Sequence, residues 1–232
     1  MKKAIVLEGS STKRKFRLLP AYGWLPIFSV VATHLVVYYG TKLINSGWRH
    51  HDLTVGADGA IPLAPEWTLI YVLTFLFWAG GLVFAAWQEE ELCCKLCTGV
   101  IVGYAMCAVM FLVLPTSIAR PEVTGTAYYD DLLRATYGAD IPSNLFPSMH
   151  CMMSYMIFRA LTVSPGIKRP YRIAAGVLVV LICASTLYIK QHYFVDTVAG
   201  IVFGEAAFLI GMRSRLWTHM QRLNKKLLRG RA

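Results

Sequence analysis

Ser185-Thr-Leu-Tyr-Ile-Lys-Gln-His192-Tyr-Phe-Val-Asp196 stands where one strongly apolar run ends and another begins. The flanking runs, 173–190 and 193–212, are each close to the ~20 residues that a helix needs to cross the hydrocarbon core of a bilayer. The stretch is therefore a turn at a membrane edge, and it carries a histidine and an aspartate four residues apart. At that spacing on a helix the two side chains share a face, so the carboxylate reaches the imidazole. A carboxylate on one ring nitrogen fixes the tautomer and leaves the other nitrogen free as nucleophile or base. Upstream, Phe146-Pro147-Ser148-Met149-His150 places a second histidine at the start of another apolar run.

The rest of the chain has the same character. Of its 232 residues, 56% are hydrophobic and 16% charged, with a mean hydropathy of +0.50. That composition excludes a disordered chain and argues against an ordinary soluble domain. Apolar runs at 23–44, 66–87, 97–114, 149–163, 173–190 and 193–212 predict an all-α polytopic membrane protein, a bundle of six transmembrane helices. A basic segment 1–22 precedes the bundle 23–212, and a basic tail 213–232 follows it.

Charge sets the expected orientation. Of the 23 Lys and Arg, 18 fall on one side when the six spans are threaded. They comprise the cations of 1–22, those after 212, and Lys95, Arg159, Lys168, Arg169 and Arg172. Both termini are then cytoplasmic by the positive-inside rule, as an even number of spans requires. The first apolar run is too long for a cleaved signal peptide and reads as a retained span. The net charge of +10 then reflects topology and attraction to anionic lipid, not nucleic-acid binding. In the tail, Leu216, Trp217, Met220, Leu223, Leu227 and Leu228 alternate with cations, which predicts an amphipathic helix on the cytoplasmic face.

Other polar features read as structural. Cys94-Lys-Leu-Cys97 lacks the second pair or histidine of a zinc site, and its cytoplasmic position disfavours a disulfide. No metal or cofactor is expected. His50-His51-Asp52 lies in an outer loop without further ligands, His34 sits mid-span as a helix–helix hydrogen bonder, and Glu89-Glu90-Glu91 is a solvated turn. The long outer loop 115–148 favours a role beyond connection. Its segment Tyr128–Leu133 could rest at the interface.

With this threading, Arg120, His150, His192 and Asp196 reach the same non-cytoplasmic edge. Below that edge, Arg159 lies nine residues past His150, and Glu205 nine residues past Asp196. Both spans run inward, which puts each charge about 13 Å below the site at the rise of a helix. Opposite charges at equal depth in a membrane pair, so a structural Arg159–Glu205 bridge is expected.

These residues together resemble the type-2 phosphatidic acid phosphatase superfamily, whose motifs are K-x6-R-P, P-S-G-H and S-R-x5-H-x3-D. Ser185-Thr186-x5-His192-x3-Asp196 resembles the third motif, Pro147-Ser148-Met149-His150 the second, and Arg120-Pro121 the end of the first. The likeness covers roughly residues 100–212, with the family's six-helix layout extending it across the span region. The third motif also looks like that of the inositol phosphorylceramide synthase branch, with sphingomyelin synthases more distant.

The resemblance implies a phosphohistidine mechanism. His192 attacks phosphorus, oriented by Asp196, and His150 protonates the leaving oxygen and then helps activate the acceptor. Arg120 holds the phosphate, aided by Ser148 and by N–H groups at the start of the fourth span. The sequence departs from the motifs at Val113, where the family has lysine, at Thr186, where it has arginine, and at Met149, where it has glycine. Lys190 is the nearby cation that could substitute. A monoester carries up to about −2 charge and a diester −1, so a site short of cations leans toward headgroup phosphotransfer from a phosphodiester lipid. The alternatives are a lipid-phosphate or polyprenyl-diphosphate phosphatase and, in a different class, a non-catalytic transporter or scaffold. The expected partners are a phospholipid or lipid-phosphate substrate and the bilayer itself. The membrane would be the cell membrane in a bacterium.

Overall fold

The computed structural model describes residues 19–229. Most of the basic segment 1–22, and the last three residues of the tail, lie outside the described residues. In chain order the helices are α1 (Trp24–Asn45), α2 (Gly56–Ala60), α3 (Thr68–Gln88), α4 (Glu90–Val113), α5 (Tyr128–Ala139), α6 (Met149–Val163), α7 (Arg169–Tyr188), α8 (Phe194–Arg213) and α9 (Trp217–Arg229). The described residues form no strand. Two isolated bridges, His51 with Thr116 and Ser117 with Ser143, join the loops at one end.

Five of these helices, α1, α3, α4, α7 and α8, are long and apolar enough to cross a membrane. They carry apolar side chains on their outer surface as well as inside; Phe28, Val36, Leu43, Leu76 and Val180 are all well exposed. Such a surface is stable against lipid tails and costly against water. The run expected to form the fourth span is α6, a helix of 15 residues. At 1.5 Å per residue it extends about 22 Å, short of the ~30 Å hydrocarbon core. It starts abruptly because Ser148 caps it, the hydroxyl accepting from Cys151 N at 3.3 Å. It ends before Ser164-Pro165-Gly166, where Gly166 adopts a φ of 78°.

Short as it is, α6 lies at the centre. Met149, Met152, Met153, Met156 and Ile157 are buried in the main core with Tyr104, Cys107 and Phe111 of α4 and Phe208 of α8. Unbranched methionines fill the irregular gaps of such a crossing. On the far side α6 meets α3, where Trp78 Nε1 donates to Ser154 Oγ at 2.9 Å.

The seam between α6 and α8 needs glycine. A Cβ on Gly200 would stand 2.5 Å from the Ser148 carbonyl oxygen, and one on Gly204 3.0 Å from that of Met152. Backbone carbonyls cannot yield as a side-chain tip can, so these glycines set how closely the helices approach. Deeper along the seam, Arg159 Nη1 donates to both oxygens of Glu205 at 2.8 Å. Tyr155 Oη adds a bond to the same carboxylate at 3.1 Å. The structure thus joins α6 to α8 through a bidentate ion pair inside the bundle.

The tail helix α9 docks against the start of α4. Asn224 Nδ2 donates to Tyr22 O at 2.8 Å, and the Lys95 ammonium lies 5.2 Å from the Trp217 ring centre. Leu216, Leu223 and Leu227 remain exposed beside its cations.

Candidate active site

The site forms at the end of the bundle where α4 and α7 finish and α6 and α8 begin. As α7 ends, the Thr186 carbonyl accepts the N–H groups of Gln191 and His192 at 2.9 and 3.2 Å. Helix α8 restarts at Phe194, with Asp196 in its first turn accepting the Tyr193 N–H through Oδ2 at 2.9 Å. That satisfies one of the orphan donors of a helix start and favours a carboxylate there. The same Oδ2 lies 3.3 Å from His192 Nδ1. Asp196 is fully buried and His192 almost so. With Nδ1 turned to the carboxylate, Nε2 is the free nitrogen of His192.

Helix α6 brings His150 to the same place. The Ser148 N–H donates to the Asp196 carbonyl at 3.0 Å, which ties the start of α6 to the start of α8. The His150 and His192 ring centres are 5.7 Å apart. Tyr71 at 4.6 Å and Trp78 at 5.3 Å enclose the His150 ring, and its Nε2 is buried without a hydrogen-bond partner.

Both histidines line a cavity of about 290 Å³. One wall is aromatic and aliphatic, built by His34, Tyr38, Tyr39, Tyr71 and Phe75 of α1 and α3. The other is polar, built by Thr136, Asp140, Ser143, Asn144 and Gln191. Leu35, Tyr39, Val72 and Phe75 belong to this lining and are also exposed on the outer face of the bundle or partly so, so the cavity extends toward the lipid-facing surface between α1 and α3.

Arg120 is not itself in the lining but is bonded to two residues that are, Asp140 and Gln191. Its Nη1 donates to Tyr137 O at 3.1 Å and to Asp140 O at 2.5 Å, its Nη2 donates to Gln191 Oε1, and its plane lies 4.5 Å from the Tyr137 ring centre. Its Nε is buried without a partner.

The remaining candidates lie apart from the cavity. Lys190, at φ 51°, turns its ammonium to the carbonyls of Asp58 at 3.0 Å and Ile61 at 2.5 Å. Thr186 is buried with its hydroxyl bonded to Cys183 O at 2.8 Å. Val113 is 73% exposed on α4, so that motif position faces out of the bundle. Ser148 serves as the cap of α6. No cluster of three metal-ligating side chains occurs among the described residues.

Two charged groups at the site escaped the sequence reading. Lys42, near the end of α1, donates to Asp140 Oδ1 and to Ile141 O at 3.0 Å and to Tyr38 Oη at 2.7 Å. Tyr38 Oη donates to the same Asp140 oxygen. Burial pushes the Asp140 carboxyl up to about 6, against the pull of His192. The one available signal was a lysine inside an otherwise apolar run. His34 also turns out to line the cavity, stacked on Tyr38 and edge-on to Tyr104.

The chain thus forms a helical bundle with an apolar exterior and paired histidines beside a buried carboxylate at one end. The family model of the PAP2 superfamily matches residues 94–220, more than half of the chain. The chain belongs to the PAP2 superfamily, whose members are phosphatases or phosphotransferases, and it is an enzyme of that kind. No curated protein and no solved structure matches it.

Proposed function

We propose that the chain transfers a phosphoryl-bearing headgroup between membrane lipids through a phosphohistidine on His192. The observation that carries this reading is the His192–Asp196 contact beside His150 in one half-apolar cavity. His192 Nε2 attacks phosphorus, so the N–P bond forms as the bond to the leaving lipid oxygen breaks. His150 gives that oxygen its proton. In the second half His150 takes the proton of the acceptor hydroxyl, the new O–P bond forms and the N–P bond breaks. The unpartnered Nε2 of His150 fits a group whose hydrogen bond comes from the substrate. Arg120, bonded to the polar wall, with the first N–H groups of α6 would hold the phosphate oxygens, while Ser148 acts through the start of α6 that it caps.

The cavity between α1 and α3 suits acyl chains, with the phosphate at the polar end. The Asp140 carboxylate in its wall repels a second phosphate charge, which favours a diester over a monoester. In the bilayer α6 completes a sixth crossing, both termini are cytoplasmic, and the site faces the opposite side. The segment 1–22 and the tail 213–232 then flank a catalytic bundle 23–212.

The experiment supplies purified protein in lipid with headgroup-labelled phosphoinositide and, separately, labelled phosphatidic acid. Label in a new lipid supports the transferase. Free inorganic phosphate from phosphatidic acid, with no lipid-to-lipid transfer, makes the enzyme a phosphatase with water as acceptor. Turnover that persists in His192→Ala removes the phosphohistidine.

A further inference from the structure

The PAP2 motif positions Val113 and Thr186 supply no cation to the cavity, and Lys190 is bonded elsewhere. Arg120 alone is a thin counterweight to a phosphate. Yet a second cation stands within one hydrogen bond of the cavity wall. The Lys42 ammonium is held by Asp140 and Tyr38, both of which line the cavity with the two histidines. Its side chain is only 9% exposed, so it is not a solvated surface lysine.

Asp140 joins the two cations. Its carboxylate pairs with Lys42, and its main-chain carbonyl accepts from Arg120. Each cation is held by three acceptors on three residues. They differ in the side chain: Arg120 presents a rigid planar fork, whereas Lys42 carries a point charge on a flexible four-carbon stem. An arriving phosphate offers Lys42 several charged oxygens in place of one carboxylate oxygen, a phenol and a carbonyl.

The geometry points to Lys42 as the second phosphate-contacting cation of this site, masked by Asp140 until substrate displaces it, so that the Lys42–Asp140 pair sets the choice between doubly and singly charged phosphates. This rests on the phosphoryl-transfer reading proposed above. The pairing restrains the site in both directions. While Asp140 occupies Lys42, the cavity presents little net positive charge to a monoester. Once Lys42 moves to the phosphate, the uncovered carboxylate still disfavours a second negative charge nearby.

Equilibrium binding separates contact from chemistry. Full-length protein in lipid nanodiscs carries His192→Ala, so that nothing turns over, and is titrated with short-chain phosphatidic acid and short-chain phosphatidylglycerol. Lys42→Met is expected to weaken phosphatidic acid by about tenfold or more, the worth of one charge-assisted hydrogen bond. Lys42→Arg, which keeps the charge, should weaken it less. Asp140→Asn is expected to tighten phosphatidic acid by about tenfold and phosphatidylglycerol by less than about threefold. The decisive variant combines Lys42→Met with Asp140→Asn. If Lys42 is the contact, the gain from Asp140→Asn shrinks in the double variant from about tenfold to less than about threefold, what removing the carboxylate's own repulsion gives. A gain as large without Lys42 as with it means that Lys42 is only the counter-ion of Asp140, which overturns the proposal. Should Lys42→Met not fold, the same shrinkage of the Asp140→Asn gain in a Lys42→Gln background decides the same point. Wild-type turnover of either lipid with binding unchanged in every Lys42 variant sinks this inference alone. A wild-type protein that neither binds nor converts lipid phosphates sinks the functional reading with it.

Discussion

Asp196 Oδ2 lies 3.3 Å from His192 Nδ1 while it also accepts the Tyr193 N–H at 2.9 Å. One oxygen therefore starts α8 and orients the imidazole, and the position of the proposed nucleophile is linked to the helix start. Asp196→Asn keeps the shape but turns an acceptor partly into a donor, which favours the wrong imidazole tautomer. The expected result is a fall in kcat of about 10²–10⁴-fold with a smaller change in KM, since the phosphate contacts remain. Steady-state kinetics alongside acid-labile labelling of His192 would check it. Unchanged labelling rates would separate Asp196 from the nucleophile.

Gly200 controls the second half of that geometry. Its Cα faces the Ser148 carbonyl so closely that a Cβ would stand 2.5 Å from that oxygen and 3.0 Å from the Cys151 Cβ. Gly200→Ala must push α8 away from α6, straining the Ser148 N–H to Asp196 carbonyl bond that holds the two histidines in register. A loss of about 1–3 kcal/mol of stability is expected, as for overpacking elsewhere in a tight core. The drop in kcat should exceed what lost folded protein explains. Thermal unfolding and activity per folded molecule measure the two effects separately.

Asp140 gives a pH signature with a definite sign. Burial raises its carboxyl from 3.8 to about 6, so the folded protein holds that proton more tightly than the unfolded chain does. The stability this group contributes is complete below about 3.8 and is lost as the pH rises through about 6. The groups facing it are Lys42 and Tyr38 from α1, the Arg120 guanidinium on its carbonyl, and His192 from the turn before α8. Between about pH 4 and 7 the wild type should lose stability relative to Asp140→Asn by on the order of 1–3 kcal/mol. A flat difference across that window would mean that pairing with Lys42 offsets the burial completely.

The Arg159–Glu205 pair is bidentate and lies within the bundle, each side chain about a third exposed or less. Removing one partner leaves the other charge beside apolar side chains, which costs more than the pair contributes. Glu205→Gln is therefore expected to lower stability by on the order of 1–3 kcal/mol. Arg159→Met combined with Glu205→Leu should recover much of that loss. Additive losses in the double variant, measured by thermal unfolding in lipid, would show that the two side chains act independently.

How much of this was readable from the chain follows from the range of each interaction. The His192–Asp196 contact is local in sequence, so the four-residue spacing signals it, although His192 lies in the turn before α8 and not on a shared helix face as the spacing suggested. The apolar runs placed α1, α3, α4, α7 and α8 because hydropathy is a local sum. The length of α6 was readable too, at 15 residues, but not that a helix so short would lie at the centre of the packing. Lys42 and Asp140 are 98 residues apart and meet only because the loop after α5 folds back onto α1 through Asn45, Asn144 and Thr41. Nothing in either local sequence encodes that meeting.

Lys190 shows the same limit from the other side, since it is two residues from His192 in sequence and points away from the cavity. Its left-handed backbone at the end of α7 sends the ammonium to the Asp58 and Ile61 carbonyls. The Asp58 carboxylate in turn accepts the Phe194 N–H at 2.7 Å, so this cation braces the loop that supports the start of α8. Lys190→Met should then lower the melting temperature through loss of bonds worth about 1–3 kcal/mol, and reduce kcat slightly as α8 loosens. KM for the lipid phosphate should stay within about twofold, because no phosphate contact is removed. The measurement is KM against Tm on the same preparation. A tenfold or larger rise in KM at unchanged Tm would instead return Lys190 to the phosphate.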